Sequence, residues 1–139
     1  MYNYIILNKA TRPLEFICFF PAEFPTRIDG DVFAFLFVDV YSDFVIMTGL
    51  EKSKSNETIL GHIRLLTRNK DFLKHKGVPF TLVLHKYEEI LDDILSIIKP
   101  FKGKGLIDDA FVAEKVTPVL ESLFTSMAGK VKPDKSFLN

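Results

Sequence analysis

The sequence predicts a mixed α/β (α+β) domain, a five-stranded mixed sheet whose elements follow one another as β-β-β-α-β-α-β-α with helices on both faces. Three observations predict it. Residues 32–38 form an unbroken apolar run rich in β-branched and aromatic side chains, bounded by Asp29, Gly30 and Asp31, which is the pattern of a central strand covered on both sides. After residue 53 the apolar period changes from that of a strand to that of a helix. Beyond residue 77 short apolar runs alternate with amphipathic stretches, and strand-helix-strand units impose parallel pairing with right-handed crossovers.

In chain order, residues 2–8 read as a short strand and 9–13 as a polar connector. Residues 14–20 form the first strand of the sheet, which Pro21 ends, and residues 21–31 follow as a loop. Strands at 31–40 and 43–50 then make an antiparallel hairpin around Tyr41, Ser42 and Asp43. Ser53 and Ser55 offer N-caps, Glu57 suits a first turn, and Ile59, Ile63, Leu66 and Leu73 share one face of a helix that Gly77 stops. Residues 80–84 are a strand. Residues 87–99 are a second helix, with Ile90, Leu91, Ile94, Leu95, Ile97 and Ile98 in a broad apolar stripe opposite Glu88, Glu89, Asp92 and Asp93, ended by Pro100. Residues 102–105 read as a loop and 106–107 as a short strand, after which Asp108 or Asp109 caps a last helix running toward Met127 and Gly129. Pro118, with Thr117 as a fresh N-cap, kinks or restarts that helix. One domain is thus expected over 1–129, with a polar tail at 130–139.

The 139 residues suffice for one core without disulfides or metals. Lys plus Arg and Asp plus Glu both number 18, so no global field attracts nucleic acid or an anionic membrane, and any such contact needs local charge segregation. Cys18 is the single cysteine and lies in an apolar run, which points to a buried reduced thiol and a cytoplasmic location. The apolar runs are short of the roughly 20 residues of a membrane helix, so a soluble protein is expected.

Four local features carry a resemblance: Arg12-Pro13 with Glu15 before the first strand, Val38-Asp39 followed by Tyr41-Ser42 at the hairpin, Gly77-Val78-Pro79 entering the fourth strand, and a Glu on the last helix. In this order, over about residues 12–124, they resemble the catalytic core of retroviral-type integrases and bacterial transposases, which is ribonuclease H-like. The resemblance implies DNA recombination by two-metal phosphoryl transfer, with three carboxylates holding Mg²⁺ or Mn²⁺. The positions matching those acids are Phe20 (or Phe19) on the first strand, His85 after the fourth, and Glu121, which stands 35 residues beyond His85 with positions 86–120 between. Two of the three acids are therefore missing. No cofactor is expected, and the activity implied by the resemblance is expected to be lost.

Asp39 matches the family's hairpin aspartate, so a structural role is expected rather than a substitute ligand, and Asp108 and Asp109 are expected to cap a helix. His62, His75 and His85 are too dispersed for a metal motif, and Cys18 is too apolar in setting for a nucleophile. Arg64, Arg68, Lys102 and Lys104, with neighbouring lysines including Lys99, form the candidate nucleic-acid-binding set against the alternative of a solvated face. Three functions remain open: an inactive integrase-like core with a role in assembly or weak nucleic-acid contact, a small homodimerising interaction module with no nucleic-acid role, and an active metal-dependent nuclease with rearranged ligands, which needs acids that the pattern does not locate. A homo-oligomer is expected in each case, with no membrane partner.

Overall fold

Among the described residues of this computed structural model, 10–26 and 30–128, the chain forms one sheet of five strands. These are β1 (Phe16–Thr26), β2 (Gly30–Asp39), β3 (Val45–Glu51), β4 (Phe80–Leu84) and β5 (Gly103–Ile107), in the spatial order β3-β2-β1-β4-β5. The strand expected at 2–8 and the tail expected at 130–139 lie outside the described residues. β1 pairs antiparallel with β2 and β2 antiparallel with β3, whereas β1 with β4 and β4 with β5 are parallel. The helices are α1 (Asn56–Leu66), α2 (Lys70–Leu73), α3 (Leu91–Ile98) and α4 (Asp109–Ala128), and short 3₁₀ turns at Glu88–Ile90 and Lys99–Phe101 flank α3.

Strand alternation divides the core into two layers. Ile17 and Phe19, with Phe33, Phe35, Phe37, Leu82 and Leu84, face α1 and α3, whose Ile59, Ile63, Leu66, Ile94 and Ile98 are buried. Phe16 and Cys18, with Ala34, Leu36, Val38 and Val83, face Phe111, Val112 and Val116 of α4. Helices thus cover both faces. Phe19 is the centre of the first layer, its ring 4.8 Å from Phe37 and 6.0 Å from Phe35. Each such buried side chain contributes about 1.5–3 kcal/mol relative to exposure.

Four elements depart from expectation, each for a local reason. β1 does not stop at Pro21 but continues to Thr26. Val40 N–H donates to Phe16 O and Thr81 N–H to Glu15 O, so even-numbered residues of β1 turn their peptide groups to β2 and odd-numbered ones to β4. Pro21 and Pro25 are odd and lie past Phe19, where pairing with β4 has ended, so neither missing N–H removes a ladder bond. The helix expected from 53 to 77 is two, because Asn69 accepts from the N–H groups of Asp71 and Phe72 and starts α2 afresh. This additional helix is absent from the expected element order.

The loop expected at 102–105 is mostly strand, since β5 starts at Gly103. Its glycines admit α3: a Cβ on Gly103 would stand 2.8 Å from Ile98 Cβ, and one on Gly105 2.9 Å from Leu95 Cδ2. α4 runs unbroken through Pro118, and the Thr117 hydroxyl, rather than capping a new helix, donates to Ala113 O at 2.6 Å.

Candidate functional site

β1 and β4 run parallel with Phe19 opposite Leu84, so the next residue of each chain leaves the shared ladder at the same end of the sheet. Those residues are Phe20 and His85. Their rings meet edge to face with centroids 5.2 Å apart. Together they enter a cleft of about 620 Å³ that is also lined by Pro21, Glu23, Lys54, Asn56, Lys86, Tyr87, Glu88 and Glu89. Lys86 and Tyr87 carry left-handed φ values of 68° and 74°, and the Lys86 N–H is held by Asp109 Oδ1 at 2.8 Å. Burial first, and Glu89 second, push the Tyr87 phenol up to about 12, so it stays protonated near neutrality.

Glu121 does not join them. α4 begins beside the cleft, through the Asp109 contact, and Glu121 lies twelve residues further along, about 18 Å at 1.5 Å per residue. It is exposed on the helix and does not line the cleft. Phe20 offers no donor atom and His85 one imidazole nitrogen, so the pair does not fit the octahedral oxygen coordination of Mg²⁺. Among the described residues no three His, Cys, Asp or Glu side chains group to hold a metal ion.

The remaining candidates have structural work. Asp39, 3 % exposed, accepts from Leu14 N–H (2.9 Å), Tyr41 N–H (3.2 Å) and the Ser42 hydroxyl (2.8 Å). It pairs with Ile17, which puts it at the end of the sheet opposite the cleft. Asp108 caps α4 by accepting from Phe111 N–H at 3.1 Å. His62 lies over Gly49, its ring 4.7 Å from Phe35 and its Nε2 3.1 Å from Glu51. His75 Nδ1 meets Asp71 O at 3.2 Å on the surface. Burial pushes the Cys18 thiol up to about 12, which removes the thiolate a nucleophile needs.

The expected basic residues gather at the Asp39 end. α1 starts by the cleft and runs back across the sheet, and Asn69 Nδ2 donates to Ile46 O near the start of β3. That path carries Arg64 and Arg68 to the end opposite the cleft. α3 makes the same return from Glu88 and Glu89 to Lys99. Lys102 and Lys104 flank Gly103, which pairs with the first residue of β4. With Lys99 they line a groove of about 950 Å³ floored by Pro79, Leu95 and Ser96 and containing one carboxylate, Asp92. Arg12 joins them by donating to Pro79 O.

Sequence reasoning missed Tyr87 and Lys54 in the cleft, and Asp109 as the clamp on Lys86. Glu88 and Glu89 after Tyr87 marked a helix start, but nothing in the pattern announced two consecutive left-handed residues. No protein-family model matches the chain, and no curated protein is similar to it. Among the described residues no helix is long and apolar enough to cross a membrane.

Proposed function

We propose that the chain is a diverged core of the integrase and transposase type, ribonuclease H-like in topology, that has lost metal-assisted phosphoryl transfer and contacts the backbone of nucleic acid. The order β3-β2-β1-β4-β5, with three antiparallel strands followed by two parallel ones, supports the kinship. A phenylalanine and a histidine side by side where acids would stand support the loss of chemistry.

The observation that carries the binding role is charge segregation. Arg12, Arg64, Arg68, Lys99, Lys102 and Lys104 stand at one end of the sheet and outnumber Glu15, Asp39 and Asp71 there, while Glu23, Glu88, Glu89 and Asp109 stand at the other and outnumber Lys54 and Lys86. A chain of zero net charge thereby acquires a cationic end. Fluorescence anisotropy with a short DNA duplex over a salt series tests it. Binding that weakens steeply with salt is expected, and no binding at low salt refutes it. A Mg²⁺-dependent nicking assay should show no cleavage, and cleavage that tracks the purified protein refutes the loss of activity.

A homodimerising module is the second reading, favoured by the outer edge of the sheet. Among the described residues β3 is an end strand, and Phe44 and Leu50 beside or within it are 73 % and 66 % exposed. An edge bearing apolar side chains and unpaired peptide groups suits a second copy. Sedimentation showing only monomer at roughly ten times a micromolar dissociation constant argues against it.

A further inference from the structure

The lysine groove presents backbone donors as well as charge, and together they specify what it takes. In a parallel ladder alternate residues turn their peptide groups to opposite sides. Phe80 N–H donates to Lys102 O at 3.2 Å and Asp108 N–H donates to Leu84 O at 3.0 Å, so the even-numbered residues of β5 face β4. Gly103 and Gly105 therefore aim their N–H groups away from β4. Among the described residues β5 is the last strand of the sheet and has no strand partner on that side, which opens into the groove lined by Lys99, Lys102, Lys104 and the single carboxylate Asp92.

Close packing of α3 requires both glycines, since a Cβ on either would collide with Ile98 or Leu95. The same requirement leaves the two amides without a side chain of their own to shield them. Among the described residues none of the three lysines is in an ion pair. Sheet edges with exposed N–H groups form anion-binding concavities, and lysines supply the charge that peptide dipoles lack. Two strand positions span about 6.6 Å, which is comparable to the separation of neighbouring phosphates along one nucleic-acid strand.

We infer that this groove, at the opposite end of the sheet from the Phe20 and His85 cleft, docks one phosphodiester backbone, with Gly103 and Gly105 N–H groups donating to phosphate oxygens and Lys99, Lys102 and Lys104 neutralising them. The inference rests on the nucleic-acid reading above and assigns it a place. No bond is made or broken there.

The test pairs two measurements on the full chain. In ¹H–¹⁵N NMR titration with a short DNA duplex, the Gly103 and Gly105 amides should shift early, while those of Gly49 and Gly61 stay. In anisotropy, K99Q/K102Q/K104Q should lower the slope of log K against log salt by about 2.7, at about 0.9 per phosphate contact. R64Q/R68Q should lower it less. Circular dichroism verifies that both variants are folded. A native chain that binds while the triple variant keeps its full slope, or while both glycine amides stay fixed, overturns the groove and leaves the general reading standing. A native chain that binds no duplex at low salt overturns both. Equal amide shifts with inorganic phosphate alone, or shifts with an acidic peptide and none with DNA, overturn the phosphodiester assignment.

Discussion

Replacing Asp39 by Ala should be among the most damaging single changes at the hairpin. The carboxylate is 3 % exposed and takes three hydrogen bonds, from Leu14 N–H, Tyr41 N–H and the Ser42 hydroxyl. Ser42 has other recourse, because the residue is partly exposed and its hydroxyl can donate to water instead. Leu14 does not, being 4 % exposed and held at φ 59° by this bond. A hydrogen bond to a charged group contributes about 1.5–3 kcal/mol, and a buried donor left unpaired costs about 1–3 kcal/mol. Allowing for overlap between these terms, Asp39→Ala should destabilise by about 2–5 kcal/mol, a large part of the roughly 5–15 kcal/mol of a typical domain. Asp39→Asn keeps an acceptor for the amides and should cost about 1–2 kcal/mol. Urea unfolding of the three proteins gives the comparison. If Asp39→Ala costs under about 1 kcal/mol, the carboxylate is not organising the turn and the reasoning fails.

Other perturbations follow the same logic. Asn69→Ala should cost about 1 kcal/mol by removing the cap that starts α2, read as a lower urea midpoint at unchanged m. Gly103→Ala should destabilise more than Gly105→Ala, by up to about 3 kcal/mol, because its Cβ meets the Ile98 carbonyl at 2.9 Å whereas that of Gly105 meets only leucine side chains. The Cys18 thiol is raised from 9.0 to about 12 in the fold, so the folded state keeps its proton where the unfolded chain has lost it. Its contribution is complete below pH 9 and declines toward pH 12, by about 1.4 kcal/mol per pH unit at most. The stability of Cys18→Ala should therefore fall less steeply over that window, and parallel curves refute the assignment.

What the sequence disclosed and what it withheld separate along physical lines. β2, β3 and β4 were legible because their residues are buried by neighbours on both faces or by one, and apolar pattern reports burial directly. The end of β1 was not, because a proline is excluded from a strand only where its N–H would be used. That depends on β4 being five residues long and ending opposite Phe19. The first three residues of β5 read as a loop, with only 106–107 as strand, because glycine disfavours strands in isolation, whereas here α3 packs too close for anything larger. Both are tertiary facts with no local signature.

The site shows the same division. Phe20 beside His85 follows from two strands leaving one ladder together, a relation that counting along the chain captures. Glu121 was placed by a count of residues from His85, and such a count does not register how many of them are spent before the helix begins. Here the 3₁₀ turns, α3 and β5 use the interval up to Ile107, so α4 begins by the cleft only at Asp109 and has carried Glu121 along the sheet by the time the count is met. If a metal were to be built at Phe20 and His85, an acid near Asp109 would have to complete it. The cationic end carries its residues where α1 and α3 finish and β5 begins, and only the fold brings Arg64, Arg68, Lys102 and Lys104 to one side. Zero net charge hid an uneven distribution of charge along the strands, with the lysine groove at the end of the sheet opposite the Phe20 and His85 cleft.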